Sequence, residues 1–330
     1  MSRRCERYQS CVLLWALYHI GYGEIAEMHV SRERRTTSLM SSRRSAEESA
    51  TRPSKRSKAE PPSLLERVRQ SDPSLTHLDV SELELSDEEN EAMLHAIVAN
   101  TSLQSLSLKW VGIGPEGGEE LAPFVVANSA LRSLNLERNG LGARGGLALG
   151  EALGKCTLTF LDMSLNDIGG AEGQALRAFG EALRVNQSIA TLIMVRCGLG
   201  PEGGRSFANA LEVNTTLTSL DMTGNDLGIE GGKDIATALL VNSTLTELGM
   251  RWNRIGFGLS GAEAFAAAIE RNCALRTLDI AQNEIGEAGA GAFADALARN
   301  TCLVQLDMQR NELGPIGGTR LGEAIALNRS

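Results

Sequence analysis

Aromatic side chains are scarce in this chain: they make up 4% of 330 residues, which include 35 glycines. Aromatic rings normally supply much of the buried area of a globular core. Leu and Ala recur instead at fixed intervals along the sequence. This composition argues against one ordinary compact core and favours many small, identical contacts between repeated units.

Histidine and paired cysteines are also rare. The last of four histidines is His95, so no later residue can supply an imidazole as general base or metal ligand. Six cysteines occur without a C-x-x-C pair, and we expect free thiols in a reducing compartment. The sequence therefore predicts no catalytic residue, metal or cofactor, and no enzyme.

A net positive charge is found only at the start of the chain. Residues 1–60 hold 12 Lys and Arg against 7 Asp and Glu, whereas residues 61–330 hold 20 against 34. Phosphate binding requires Lys and Arg to replace counterions. We therefore expect residues 61–330 not to bind nucleic acid.

No apolar run is long enough for a membrane span. Residues 11–20 form an apolar run of ten within a basic Arg- and Ser-rich tail, residues 1–60, that we expect to be disordered. Preceded by Arg3, Arg4 and Arg7, the run resembles a signal peptide ending near residue 23; a short helix or a misplaced start of the reading frame are alternatives. We expect a cytoplasmic protein, with nuclear or secreted locations as alternatives.

An internal repeat dominates the rest of the chain. The pattern L-x-x-L-x-L-x-x-N-x-L recurs nine times, once in about 28 residues. Its inner leucines alternate as a strand requires, and a helical segment follows each turn. The first positions are Leu75, Leu103, Leu131, Leu158, Ile189, Leu217, Leu245, Leu275 and Leu303. Residues 75–330 thus predict an α/β leucine-rich-repeat solenoid, a horseshoe with a parallel sheet on its concave face and helices on its convex face.

Asparagines mark two places in each repeat. One follows the strand, where its amide is expected to bond turn backbone in successive repeats; Cys197, Val111 and Leu83 replace it in three of them. Another ends the helix, where we expect asparagine to adopt a left-handed turn. Five of the latter also match the glycosylation triplet, which becomes relevant only if the chain is secreted.

The glycine-rich turns carry no nucleotide. They recur in nearly every repeat, whereas a phosphate-binding loop would occur once. The two ends of the array differ: residues 61–74 predict a helix that caps the first repeat, with no counterpart after the ninth. An exposed apolar edge, self-association there or a truncated sequence are the alternatives.

The 28-residue unit LxxLDMxxNxIGxxGGxxLAxALxxNTS resembles the ribonuclease-inhibitor-like class, which includes ribonuclease inhibitor, the Ran GTPase-activating protein and NOD-like receptor repeat domains. Residues 64–83 are similar to the start of the tropomodulin repeat domain. The class implies the fold and shares no common ligand.

Outward positions of the strands form the candidate binding surface. Aspartates at five of nine central positions include Asp162, Asp221, Asp279 and Asp307. Like charges side by side cost stability, so a basic partner would explain them; hydrated surface carboxylates are the alternative. The five further candidates at the strand ends are Trp110, Arg138, Arg196, Arg251 and Trp252, since Trp and Arg dominate interface energetics.

The predicted function is a non-enzymatic scaffold that binds a protein on its concave face. The alternatives are Ran-type GTPase activation and tropomodulin-like binding of actin or tropomyosin. As a further alternative for the tryptophans, each indole covers the end of its own strand.

Overall fold

Leucine periodicity sets the architecture of the chain. A computed structural model describes residues 63–81, 87–170, 172–256 and 259–328. The tail 1–60, its apolar segment 11–20 and Leu83 lie outside the described residues, so the predictions on them stay predictions.

Short strands and helices alternate through the described part of the chain. The strands are β1 (His77–Asp79), β2 (Ser105–Ser107), β3 (Ser133–Asn135), β4 (Phe160–Asp162), β5 (Thr191–Ile193), β6 (Ser219–Asp221), β7 (Glu247–Gly249), β8 (Thr277–Asp279) and β9 (Gln305–Asp307). The helices are α1 (Leu64–Arg69), α2 (Asp87–Val98), α3 (Gly114–Ala127), α4 (Gly142–Leu153), α5 (Gln174–Val185), α6 (Gly200–Leu211), α7 (Gly228–Leu239), α8 (Ser260–Arg271), α9 (Gly286–Leu297) and α10 (Gly314–Leu327).

The strands form one parallel sheet in the order β1 to β9. Equivalent leucines pair from strand to strand, as Leu106 does with Leu134, so one face of every strand turns to the core. Strands lie about 4.8 Å apart whereas packed helices need about 8–10 Å, so the sheet occupies the inner side of the array. The predicted leucine-rich-repeat solenoid is confirmed.

Glycines let neighbouring helices approach closely. A Cβ atom on Gly118 would lie 2.8 Å from Cα of Gly145 in the next helix, and one on Gly204 would lie 2.5 Å from Cα of Gly231. Phe179, Phe207, Phe265 and Phe293 fill the space between helices and sheet and are fully buried. The repeated glycines therefore serve helix packing.

The asparagine after each strand forms the predicted inter-repeat ladder. Asn253 Nδ2 donates to Met222 O at 2.9 Å in the preceding repeat and to Met250 O at 3.0 Å in its own. Its Oδ1 accepts from Asn225 N at 3.0 Å. Cys197 takes this place in repeat five, where its Sγ donates to Met163 O at 3.1 Å but offers no amide oxygen to repeat four.

The asparagines that end the helices do not adopt the predicted left-handed turn. Asn186, Asn272 and Asn328 have φ between −67° and −72° with extended ψ. Their role is a second ladder: Asn272 Nδ2 donates to Leu239 O at 2.7 Å, and its Oδ1 accepts from Leu275 N at 2.7 Å. The left-handed prediction was wrong because side-chain bonds, not backbone conformation, select asparagine here. Glycosylation of such a buried amide is incompatible with this packing.

The two ends of the array differ in cover. Helix α1 lies within the predicted cap, buries Val68, and accepts a hydrogen bond at Val68 O from Asn100 Nδ2 at 2.8 Å. At the last repeat, Val304, Ile325 and Leu327 are largely exposed. A free apolar edge, self-association there and a truncated sequence stay the alternative predictions for this end of the array.

Candidate protein-binding surface

Each turn after a strand places one side chain on the surface. The residue just before the ladder position has φ between 51° and 71° in eight consecutive repeats. Such a left-handed backbone is unusual for residues with a Cβ atom, and the repeat imposes it regardless of side chain. We call these residues the turn column: Trp110, Arg138, Leu165, Arg196, Gly224, Trp252, Gln282 and Arg310.

The first tryptophan of the turn column lies beneath an arginine of the next repeat. The Arg138 Cζ atom is 4.2 Å from the centroid of the Trp110 ring. Trp110 remains 51% exposed, so the pair is open to a partner. Beside it, Lys109 Nζ and Glu137 Oε2 form an ion pair at 3.2 Å. Arg138 thus favours one orientation of an exposed aromatic ring, through a cation–π contact worth about 0.5–1 kcal/mol.

The second tryptophan pairs across two repeats. The Arg196 Cζ atom lies 4.7 Å from the Trp252 centroid, although Gly224 stands between them in the turn column. A Cβ atom on Gly224 would be 3.0 Å from Arg196 Cγ and 3.7 Å from Trp252 Cε3. The missing side chain of Gly224 therefore opens the path by which Arg196 reaches Trp252. Trp252 is 46% exposed.

The aspartate stripe has a role within the fold. Each carboxylate Oδ1 accepts from the backbone N–H two residues later, as Asp221 does from Thr223 at 2.9 Å and Asp279 from Ala281 at 3.0 Å. Asn135 does the same for Glu137 at 2.8 Å. A short acceptor side chain at this position closes the end of the strand, whether or not it carries charge.

Two neighbouring aspartates share an internal cation. Arg251 Nε lies 3.1 Å from Asp279 Oδ2, and its Nη2 lies 2.9 Å from Asp307 Oδ2. The guanidinium thus supplies the positive charge that the sequence argument assigned to a basic partner. Burial raises the pKa of Asp279, against the lowering effects of the Ala281 N–H and Arg251.

Asp162, like Asp307, is a buried member of the stripe, at 8% exposed. Burial raises the pKa of Asp162, hydrogen bonds from Ser164 lower it, and the charges of Glu137 and Asp221 raise it further. Asp79, at the equivalent position of repeat one, has a lowered pKa because Ser81 donates two hydrogen bonds to it. The ionised form of the same residue type is therefore disfavoured by burial in repeat four and favoured by hydrogen bonds in repeat one.

The nine candidate residues from the sequence fall into separate groups. Trp110 with Arg138, Arg196 with Trp252, and Arg251 with Asp279 and Asp307 are brought together; Asp162 and Asp221 stand outside these clusters. Whether any of them binds a partner stays a prediction. Sequence reasoning missed Gly224, although it is the one glycine in an otherwise side-chain-bearing column, and that alignment was the available signal.

The described residues contain neither a metal-binding cluster nor a membrane-spanning helix. In that part of the chain, no cluster of three His, Cys, Asp or Glu side chains could hold a metal ion. Its helices all fall short of the length and apolar character needed to cross a bilayer.

Comparison with solved structures finds chains of similar fold at low identity. LegL7, a leucine-rich repeat-containing protein from Legionella pneumophila, is 18% identical with a TM-score of 0.39, over 76% of this chain and 89% of that one. Actin-binding site 2 of leiomodin-1 is 21% identical with a TM-score of 0.37, over 56% of this chain and 88% of that one. The tropomodulin C-terminal domain from Caenorhabditis elegans is 13% identical with a TM-score of 0.28, over 63% and 90%. No curated protein matches the chain.

The repeat itself is recognised by a family profile described as Leucine Rich repeat. It matches residues 99–122, 127–150, 154–176, 213–236, 241–266, 271–294 and 299–322, together about half of the chain. The unmatched stretch between residues 176 and 213 contains Cys197, which replaces the ladder asparagine. Each of the seven matched ranges contains one of the nine paired strands. The chain belongs to the leucine-rich-repeat family.

Proposed function

We propose that the chain is a non-enzymatic scaffold that binds a protein partner on its sheet side, through the two Arg–Trp pairs of the turn column. The observation that carries the proposal is the exposure of two tryptophans, each already oriented by an arginine. Tryptophan and arginine are the residue types on which interface energy concentrates when a partner covers them.

Orientation before binding favours affinity. A free indole loses rotamer freedom when a partner covers it, and the cation–π contact has already restricted that freedom. Trp110 and Trp252 stand five strands apart, a separation of about 24 Å along the sheet. This distance suits a folded protein surface or an extended segment, and a small molecule would not reach both rings.

Charge defines the partner further. Each stacked guanidinium keeps its N–H edges available for a carboxylate, beside an aromatic face that suits an apolar side chain. Asp221 has no cation among the salt bridges of the described residues and remains an acceptor for a basic group, whereas Asp279 and Asp307 already bind Arg251. The partner surface therefore combines acidic and apolar groups opposite the pairs with a basic group near strand β6.

Affinity capture with the full chain tests the proposal. Wild type and the Trp110→Ala/Trp252→Ala variant are immobilised at equal folded concentration, and bound proteins are quantified by mass spectrometry. We expect the partner to be depleted at least about tenfold by the double variant, the effect of losing one or two hot spots. A small GTPase, actin or tropomyosin in the depleted set would select one of the narrower predictions.

Matched controls separate binding from stability. Val185→Ala and Val241→Ala remove exposed apolar side chains at helix ends, far from the turn column, and should leave capture unchanged. Asp221→Asn removes a charge and keeps the acceptor for Thr223 N, so it isolates the electrostatic contribution. Equal capture by wild type and the double tryptophan variant would refute the sheet-side proposal.

A further inference from the structure

Two accessible cysteines lie in adjacent loops of repeats eight and nine. Cys273 is exposed and Cys302 is half-buried, whereas Cys156 and Cys197 are buried. Both accessible cysteines occupy the short segment between a helix-ending asparagine and the next strand. The described part of the chain thus presents two accessible thiols on the same side of the same pair of repeats.

The inter-repeat hydrogen bonds fix the register of these loops. Asn300 Nδ2 donates to Asn272 O at 3.1 Å, directly before Cys273, and Arg276 Nη1 donates to Cys302 O at 2.8 Å. The pairing of Thr277 with Gln305 places Cys302 opposite Ala274, so Cys273 is its diagonal neighbour. For strand-like spacing this diagonal is about 6 Å between Cα atoms, inside the range that a disulfide bridges.

The electrostatic surroundings of the Cys273 thiol agree with this register. A hydrogen bond with Cys302 raises the pKa of the Cys273 thiol, its charge raises it further, and Arg276 acts in the opposite direction. Cys302 also lies beside Thr301, whose Oγ1 is 3.8 Å from its Sγ. The backbone register therefore places the two cysteines as one dithiol, and the direction of the Cys273 pKa agrees with it.

We propose that Cys273 and Cys302 are a modification site, which closes to an inter-repeat disulfide when the chain meets a small disulfide oxidant of the glutathione type. The exposed Cys273 attacks the oxidant as thiolate, forms a mixed disulfide and releases one glutathione. Cys302 then attacks the Cys273 sulfur and releases the second glutathione. The two protons of the protein thiols pass to the two glutathione thiolates, so two protein thiols are oxidised as one glutathione disulfide is reduced.

The disulfide would fasten the last repeat to the array. In repeat nine of the described chain, the side chains of Val304, Ile325 and Leu327 are largely exposed. In a repeat array each unit is stabilised by the contacts it buries against its neighbours, so a unit with exposed apolar side chains opens readily. A covalent link between the loops at residues 273 and 302 limits that opening.

Glutathione disulfide is the probe, applied to the full chain with Cys5→Ser and Cys11→Ser as a common background. We expect the background protein to lose two hydrogens and to yield a peptide joining Cys273 to Cys302 within one chain. In the Cys302→Ser variant the mixed disulfide at Cys273 should persist, at a level at least about tenfold higher. The buried Cys156 and Cys197 should stay unmodified and serve as internal controls.

Limited proteolysis measures the consequence for repeat nine. Cleavage after residue 302 should be at least about fivefold slower in the oxidised background protein than in the reduced one, and unchanged by the oxidant in Cys273→Ser. Separate glutathione adducts on both cysteines, or a cross-link between two chains, would overturn the dithiol. Equal cleavage of the oxidised and reduced forms would overturn its role in fastening the repeat.

Discussion

Trp252 and Asn253 are consecutive in the chain, yet they belong to two regions under opposite constraints. The ladder position is fully buried at Asn253 and is asparagine in six of the described repeats. The turn column beside it is open to solvent and holds five residue types. The ladder residue of each turn thus fixes the backbone, and the turn-column residue before it is left free to contact a partner.

The largest effect should come from the ladder. Asn253→Ala removes the donor to Met222 O and the acceptor for Asn225 N, leaving buried backbone groups without partners. We expect a loss of about 3 kcal/mol in the free energy of unfolding, measured by urea denaturation followed by circular dichroism. Trp252→Ala, one residue away, should cost about 1 kcal/mol or less. Equal losses of stability in the two variants would contradict the expected difference between the ladder and the turn column.

Restoring the ladder in repeat five should stabilise the array. Cys197→Asn would add an amide oxygen facing the backbone of repeat four, as Asn225 Oδ1 faces Cys197 N at 2.8 Å. We expect a gain of about 1 kcal/mol, the net value of one or two buried hydrogen bonds. The same denaturation measurement reports it, and Cys197→Ala is the control that removes sulfur without adding the amide. A loss of stability in the Cys197→Asn variant would mean that the packing of repeat five requires the smaller cysteine side chain and contradict the prediction.

The turn column can be perturbed without touching the ladder. Gly224→Ala puts a methyl group 3.0 Å from Arg196 Cγ and costs about 1 kcal/mol because φ is +71°. We expect Arg196 to leave the Trp252 ring, so that acrylamide quenches Trp252 fluorescence more strongly in a background with Trp15→Phe and Trp110→Phe. Arg196→Ala should give the same quenching without backbone strain. Unchanged quenching in both variants would show that the arginine does not cover the ring.

The smallest effect concerns charge within the aspartate stripe. The pKa of Asp162 is raised in the fold by burial, so its ionised form opposes folding above that pKa and the penalty disappears as pH falls. Asp162→Asn keeps the acceptor for Ser164 N and should raise stability at pH 7 by up to about 1 kcal/mol, with no difference below pH ~3.9.

Asp79→Asn is the matched control, with the opposite sign. The pKa of Asp79 is lowered, so its ionised form stabilises the fold above the unfolded pKa, and the variant should lose stability at pH 7. Thermal unfolding between pH 3 and 7 reports both variants. The same sign for the two substitutions would contradict the assigned pKa directions.

The leucine period was sufficient to predict nine strands and their register, because each repeat buries the same positions against the next. The side-chain clusters were less accessible from sequence. Arg251 reaches Asp307 two repeats away, and Arg196 reaches Trp252 across Gly224, so neither contact follows from spacing within one repeat. The sequence predicted where the helix-ending asparagines lie but not why they are there. Asparagine is favoured both in a left-handed turn and where a side-chain amide must bond buried backbone, and the sequence does not distinguish the two.

The contact of Arg196 with Trp252 across Gly224 depends on the order and number of the repeats. Any repeat with the ladder asparagine could be inserted beside it without interrupting the ladder, because the bonds repeat from unit to unit. The insertion would nevertheless move Arg196 about 4.8 Å further from Trp252 and end their contact. The number of repeats between two exposed side chains therefore fixes the distance between them. The fold tolerates an added repeat, whereas the contact between Arg196 and Trp252 does not.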